Sequence, residues 1–333
     1  MNEERISEVN TLKKKITASE VNPPHKIHIV LDHKREIIRI KETPKQERVT
    51  TSNPTVQDRY KSIVQELDRL VGLNDVKKLI FEIFAFIQID QQRSAVGLRS
   101  NSQVYHMIFK GNPGTGKTTV ARIMAKMFKE MGILSKGHLI EVERADLVGE
   151  YIGHTAQKTR EQVKKALGGI LFIDEAYSLT RGGEKDFGRE AIDTLVKEME
   201  DHKNDFILIL AGYSFEMENF IRSNPGLYSR FPIQLHFEDY SLNELLDIAE
   251  VMVSERDYIL SPMAKQKLKT YIMEEKNNPV RSFSNARLVR NWIEKAIRNQ
   301  AVRLIKEGEV TNSKEALMTI HPEDLIDIKN KYL

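Results

Sequence analysis

VYHMIFKGNPGTGKTTVARIMAKMFKEM, residues 104–131, is the stretch on which the fold turns. Its first eight residues form an apolar run of strand length, and from Lys117 to Met131 the apolar residues recur at helical spacing. Between them, GNPGTGKT (111–118) fits the pattern Gly, four residues, Gly-Lys, Ser or Thr, with the strand before and the helix after that this pattern requires. The glycines let the backbone curl so that successive N–H groups face phosphate oxygens, and the helix amino terminus adds partial positive charge. The reading assigns Gly111, Asn112, Pro113, Gly114, Thr115, Gly116, Lys117, Thr118 and Thr119 to a triphosphate cradle. Lys117 reaches the β- and γ-phosphates, and Thr118 holds Mg²⁺.

A second signal, ILFIDE (170–175), supports the first. Its apolar residues bury a strand and deliver two carboxylates at the carboxyl end, where ligands sit in open α/β sheets. Asp174 is expected in the Mg²⁺ shell. Glu175 is expected to orient and deprotonate the attacking water, because phosphoryl transfer is mostly positioning and charge stabilisation.

Outward from these motifs, strands alternate with helices: LIEVER (139–144), TAQKTREQVKKAL (155–167), GILFIDEA (169–176), REAIDTLVKEMED (189–201) and FILILAGY (206–213). Near-continuous apolar strands in this order predict a parallel sheet covered on both faces, an α/β/α sandwich. Upstream, helical periodicity runs from Tyr60 to Leu70 and from Asn74 to Gln92, split by Gly72. Beyond Pro232 the strand signal fades. Ser241 with Glu244 reads as a capping box, and Ser261-Pro262 as a cap followed by a first-turn proline. A third helix opens at Ser284 or Asn285, with Leu288, Trp292, Ile293, Ala296 and Ala301 on one side. His321-Pro322 opens a short fourth. The expected organisation is an amino-terminal extension (1–57), an α/β nucleotide-binding domain (58–238) and a small all-helical domain (239–333). Within the extension, KIHIVL (26–31) and EIIRIK (36–41) alternate as a β-hairpin would.

Composition narrows the function classes. The 333 residues contain no cysteine, so there is no disulfide framework and no thiolate metal site, in keeping with a reducing cytoplasm. No stretch approaches the ~18 uninterrupted apolar residues of a membrane span, and MNEERISEVN lacks the pattern of a signal peptide. Net charge is only +3, and residues 1–60 carry that excess with 12 Lys and Arg against 9 Asp and Glu. This balance does not favour nucleic acid as a partner.

The two motifs followed by a helical domain resemble the AAA+ superfamily of ATPases over roughly residues 60–333. More closely, GNPGTGKTTVAR, ERADLVGEYIGHTAQKTR, GGILFIDEAYSL and NPGLYSRF resemble a bacterial subgroup of CbbX and sporulation-stage proteins. The resemblance implies an Mg²⁺-dependent ATPase assembled as a homo-oligomer, by the family's habit a hexamer, that remodels an unknown protein client. It implies that Arg230 is an arginine finger reaching a neighbouring subunit's γ-phosphate. It implies a lid sensor at Arg287, with Arg290 one turn away as the rival. It also implies that Tyr151, Ile152 and Gly153 form a pore loop, with RGGEKDFG (181–188) as a second one. Many relatives place Asn or Thr after the fourth core strand to polarise the attacking water. Here that position reads Gly212, Tyr213 and Ser214, so the sensor there stays open. The likeness to sporulation proteins implies a role in spore maturation. The alternatives are a Rubisco activase of the CbbX type and an ATP-dependent assembly switch.

Overall fold

The computed structural model describes residues 63–99, 103–151, 153–182, 187–278, 283–306 and 313–326. The extension and its expected hairpin, Ile152 and residues 183–186 of the 181–188 loop lie outside these.

In chain order the elements are α1 (Asn74–Ala95), β1 (Met107–Gly111), α2 (Lys117–Glu130), β2 (Leu139–Val142), α3 (Arg144–Leu147), α4 (His154–Ala166), β3 (Ile170–Ile173), α5 (Gly188–Asp201), β4 (Ile207–Gly212), α6 (Ser214–Arg222), α7 (Pro225–Tyr228) and β5 (Ile233–Phe237). The lid adds α8 (Leu242–Ser254), β6 (Ile259–Leu260), α9 (Pro262–Lys276), α10 (Asn285–Lys306), α11 (Lys314–Met318) and β7 (Thr319–Ile320).

β1 to β5 form one parallel sheet in the order β2-β3-β4-β1-β5. Both faces are covered, and every residue of β3 and β4 is buried. The side-chain period of two divides each strand between two cores. Phe109, Phe172 and Ile209 pack with Ile80, Phe84 and Phe128 of α1 and α2. Ile108, Leu171 and Leu208 face the other way onto Val163, Leu195 and Met217 of α4, α5 and α6. The chain leaves β1 for β2 at the far edge and returns through β3 and β4. The carboxyl ends of β1, β3 and β4 therefore lie side by side, at the switch in strand order where α/β sheets bind ligands.

β5 corrects the sequence reading, which let the strand signal lapse after Pro232. Ile233–Phe237 pairs with β1 from Met107↔Ile233 to Gly111↔Phe237. It is an edge strand, and only Leu235 and Phe237 are buried while Gln234 and His236 face solvent. Two polar residues in five break the apolar run by which the inner strands were recognised.

The lid is helical, as expected, with one addition. β6 and β7 pair in parallel through two residues each, too short to leave a period in the sequence. The Ser241 hydroxyl accepts the Glu244 N–H at 3.3 Å while the Glu244 carboxylate accepts the Ser241 N–H at 2.7 Å, completing the capping box. Ser261 caps α9 with Pro262 in its first turn. Val289, Trp292, Ile293 and Ala296 of α10 fill the lid core with Leu245, Leu268 and Ile320. The inward face continues through Gln300 rather than Ala301. The Gln300 amide is buried because it donates to the carbonyls of Ala316, Leu317 and Thr319 at 3.0–3.3 Å.

Candidate functional site

The loop between β1 and α2 curls through three glycines of positive φ, Gly111, Gly114 and Gly116. Gly116 precedes α2 with φ 97°, a left-handed conformation that favours glycine. Gly114, at φ 70°, lies against the lid, and a Cβ there would come within 2.8 Å of the Arg287 backbone nitrogen. Thr115 is fully buried, and its hydroxyl donates to the Asn112 carbonyl at 2.8 Å, closing the turn. The Lys117 ammonium folds over the loop and donates to the Gly111 and Asn112 carbonyls at 2.9 and 2.8 Å. Burial lowers the Lys117 pKa; Asp174, Asp239 and Glu175 act against that shift, and Arg287 adds to it. Four charged residues distant in sequence thus converge on one ammonium.

Asp174 leaves the end of β3 half-buried, and its carboxylate accepts the Glu175 N–H at 3.0 Å. Glu175 adopts φ 46°, ψ 45°, a left-handed conformation costly for a side chain with a Cβ. Its side chain is exposed at the head of a 3₁₀ turn, Ala176–Thr180. The Thr118 hydroxyl faces Glu141 at 3.5 Å. Thr118 and Asp174 offer hard oxygen donors, a set that fits Mg²⁺ completed by phosphate oxygens and water. Among the described residues, no group of three or more His, Asp or Glu is disposed to hold a metal ion.

Of the two lid arginines, Arg287 figures among the charges acting on Lys117 and on Tyr213, and Arg290 does not. Arg230 lies apart from this cluster, past α7. Its guanidinium donates to the Gly226 carbonyl at 2.7 Å and pairs with Glu200 of α5. With the Glu200 side chain 60% exposed, such a pair is worth only ~0–1 kcal/mol. Tyr151 projects from its loop with 66% of its surface exposed. The loop base is fixed: the Gly149 N–H donates to the Thr155 hydroxyl at 2.9 Å, and the Thr159 hydroxyl to the Leu147 carbonyl at 3.2 Å.

The structure brings to the cradle residues to which the sequence reading assigned no role. Asn285 is fully buried at φ 47°; its amide donates to Asp239 at 2.7 Å and to the Pro113 carbonyl at 3.3 Å, and its oxygen accepts the Tyr240 N–H at 3.0 Å. Asn112 donates to the same Asp239 at 3.0 Å, and the Tyr240 hydroxyl to the Thr115 carbonyl at 3.1 Å. Cradle and lid are therefore stitched by hydrogen bonds. Beside Tyr240 lies a cleft of ≈ 150 Å³ lined on one side by Leu73 to Val76 and on the other by His236 and Glu238 to Tyr240. At the end of β4, Tyr213 lies under the influence of Glu175, Arg287 and Asp174. Its ring centroid is 6.0 Å from that of Tyr177. The only signal for these residues was their place next to a motif.

A parallel sheet with a phosphate cradle and paired carboxylates at its carboxyl edge, closed by a helical lid, defines a P-loop ATPase of the AAA+ type. The profile of the ATPase family associated with various cellular activities (AAA) matches residues 107–239, and that of the AAA lid domain matches 241–332. The chain is 55% identical to stage V sporulation protein K of Bacillus subtilis (strain 168) over 302 residues, which is 90% of this chain and 93% of the relative. It is 46% identical to the protein CbbX of Cereibacter sphaeroides, covering 80% of this chain and 86% of that one. Among solved structures, the Thermotoga maritima RuvB Holliday junction branch migration motor matches with a TM-score of 0.51 at 19% identity, over 79% of this chain and 70% of that one. That likeness concerns the fold. The chain belongs to the AAA+ ATPases, in the group of protein remodellers that includes stage V sporulation protein K and CbbX.

Proposed function

We propose that this ATPase assembles as a ring, by family habit a hexamer, and uses ATP hydrolysis to pull on a protein client during spore maturation. The observation that carries the reading is the exposed Tyr151 on a loop with a pinned base, in a chain 55% identical to stage V sporulation protein K along nearly its whole length. An aromatic ring at such a loop grips an extended chain through apolar contact without demanding a sequence.

In this mechanism, cradle N–H groups and Lys117 bind the β- and γ-phosphates, and the cleft beside Tyr240 takes the base. Thr118 and Asp174 would hold Mg²⁺, which supplies charge neutralisation on the phosphates. Glu175 orients the attacking water and accepts its proton. Arg287 approaches the γ-phosphate from the lid. Arg230 leaves its weak pair with Glu200 and reaches the nucleotide of the next subunit, which makes turnover depend on assembly. Hydrolysis releases the contacts that hold lid to cradle, and the pore loop moves with them.

A second reading, Rubisco activation, draws on 46% identity to CbbX and 44% to the chloroplastic ribulose bisphosphate carboxylase/oxygenase activase of Cyanidioschyzon merolae. Affinity capture with Glu175→Gln in sporulating cells separates the two. A client retained under ATP and lost when Tyr151→Ala is added supports the remodelling motor. Reactivation of inhibited Rubisco by the purified protein favours the second reading, and no ATP-dependent capture at all defeats the first.

A further inference from the structure

The Tyr177 hydroxyl has no role in the mechanism above, and its surroundings are unusual. Tyr177 stands two residues after Glu175 on the 3₁₀ turn and is 5% exposed. Its ring is held on three sides. Tyr213 lies at 6.0 Å between centroids, the Arg181 guanidinium lies 4.8 Å over the ring, and Gly212 lies so close that a Cβ there would come within 2.8 Å of two ring carbons. Gly212 is thus small because the Tyr177 ring occupies the space at the end of β4. Despite this confinement, the buried hydroxyl makes no well-formed hydrogen bond, although the Glu175 carboxylate lies near enough to act on it as an acceptor. A phenylalanine would fill the same space and spare the cost of an unsatisfied buried donor.

Burial raises the phenol pKa, and the Glu175 carboxylate is the charge that adds most to that shift. The phenol therefore keeps its proton at neutral pH and can donate but not serve as a base. The neighbouring acceptor able to use that proton is the exposed carboxylate of Glu175.

We propose that Tyr177 is a positioning residue for Glu175: its hydroxyl donates to one carboxylate oxygen when the side chain turns inward over the tyrosine pair, leaving the other oxygen to accept the proton of the attacking water. No proton leaves the phenol. The water gives its proton to Glu175 as its oxygen bonds to the γ-phosphorus and the bond to the β-phosphate oxygen breaks. The left-handed backbone at Glu175 places the carboxylate and the phenol on one tight turn, so the pair forms without long-range movement.

The proposal rests on Glu175 acting on the water, which Glu175→Gln tests by itself. The test of Tyr177 is Tyr177→Phe in the full chain, with ATP turnover, ATP affinity and melting temperature measured together. Loss of a hydrogen bond to a charged group should lower kcat about tenfold. KM and affinity should stay within a factor of two, with the melting temperature unchanged or raised. In single turnover, Glu175→Gln combined with Tyr177→Phe should be no slower than Glu175→Gln alone, because the hydroxyl acts only through the carboxylate. An unchanged kcat would overturn the proposal. So would the same tenfold loss repeated in the Glu175→Gln background. A lower melting temperature or a raised KM at normal kcat would give the hydroxyl a structural role instead, which also overturns it.

Discussion

Asn285 does two separable things: it bonds cradle to lid, and it holds a left-handed backbone at φ 47°. Asn285→Gly removes the first and keeps the second, since glycine adopts that conformation freely. The Tyr240 N–H then loses its acceptor inside the protein, and the Pro113 carbonyl and Asp239 lose a donor. A buried N–H left unsatisfied costs about 2 kcal/mol. Asn285→Ala loses the same bonds and also places a Cβ in left-handed backbone without the local bonding that suits asparagine there, adding about 1 kcal/mol. At ~3 °C per kcal/mol, the lid should melt about 6 °C lower in the glycine variant and about 9 °C lower in the alanine variant. Trp292 provides the assay. It is the single tryptophan of the chain and is 4% exposed in the lid core, so its emission follows the lid alone. A glycine variant melting with the parent would show that the bonds contribute nothing. Equal melting of the two variants would show that the backbone is not strained.

Other outcomes follow from the same geometry. His106, wedged between Phe206 and Phe231 with its pKa pushed down to about 4 by burial, stays neutral in the fold while the unfolded chain takes up a proton near pH 6.5. Stability should therefore fall by about 3 kcal/mol as pH drops from 6.5 to 4. Urea unfolding across that range should show the slope, and His106→Asn should flatten it; parallel curves would refute the assignment. Arg230→Ala should lower kcat by ~10³-fold or more with ATP affinity retained, while Glu200→Gln should change turnover less than twofold, both read by steady-state assay. Chelation of Mg²⁺ with EDTA should abolish turnover, and restoring Mg²⁺ should recover it fully. Recovery in Asp174→Asn should need a much higher concentration.

Legibility in the sequence followed the number of constraints on each position. GNPGTGKT and ILFIDE each satisfy backbone, packing and ligand demands at once, so few other readings of those residues exist. β5 was missed because an edge strand has one partner and a half-wet face, and Gln234 and His236 meet no penalty there. Gln300 was passed over for Ala301 because burial of an amide depends on carbonyls sixteen or more residues away, which no local pattern records. The choice between Arg287 and Arg290 had the same character. Both share a helix face, and only the docking of the lid brings one of them within reach of Lys117.

By itself the sequence determined the layered sheet, the cradle, the two carboxylates and the helical lid, because each is written in neighbouring residues under local steric and periodic rules. The tertiary structure alone decided how they meet. Asn285 bonds to Asp239 and Pro113, Arg230 rests on Glu200, and Tyr177 lies against Gly212 and Tyr213. Those contacts join residues that are far apart along the chain, and they exist only once strand order and lid docking have set the distances between them.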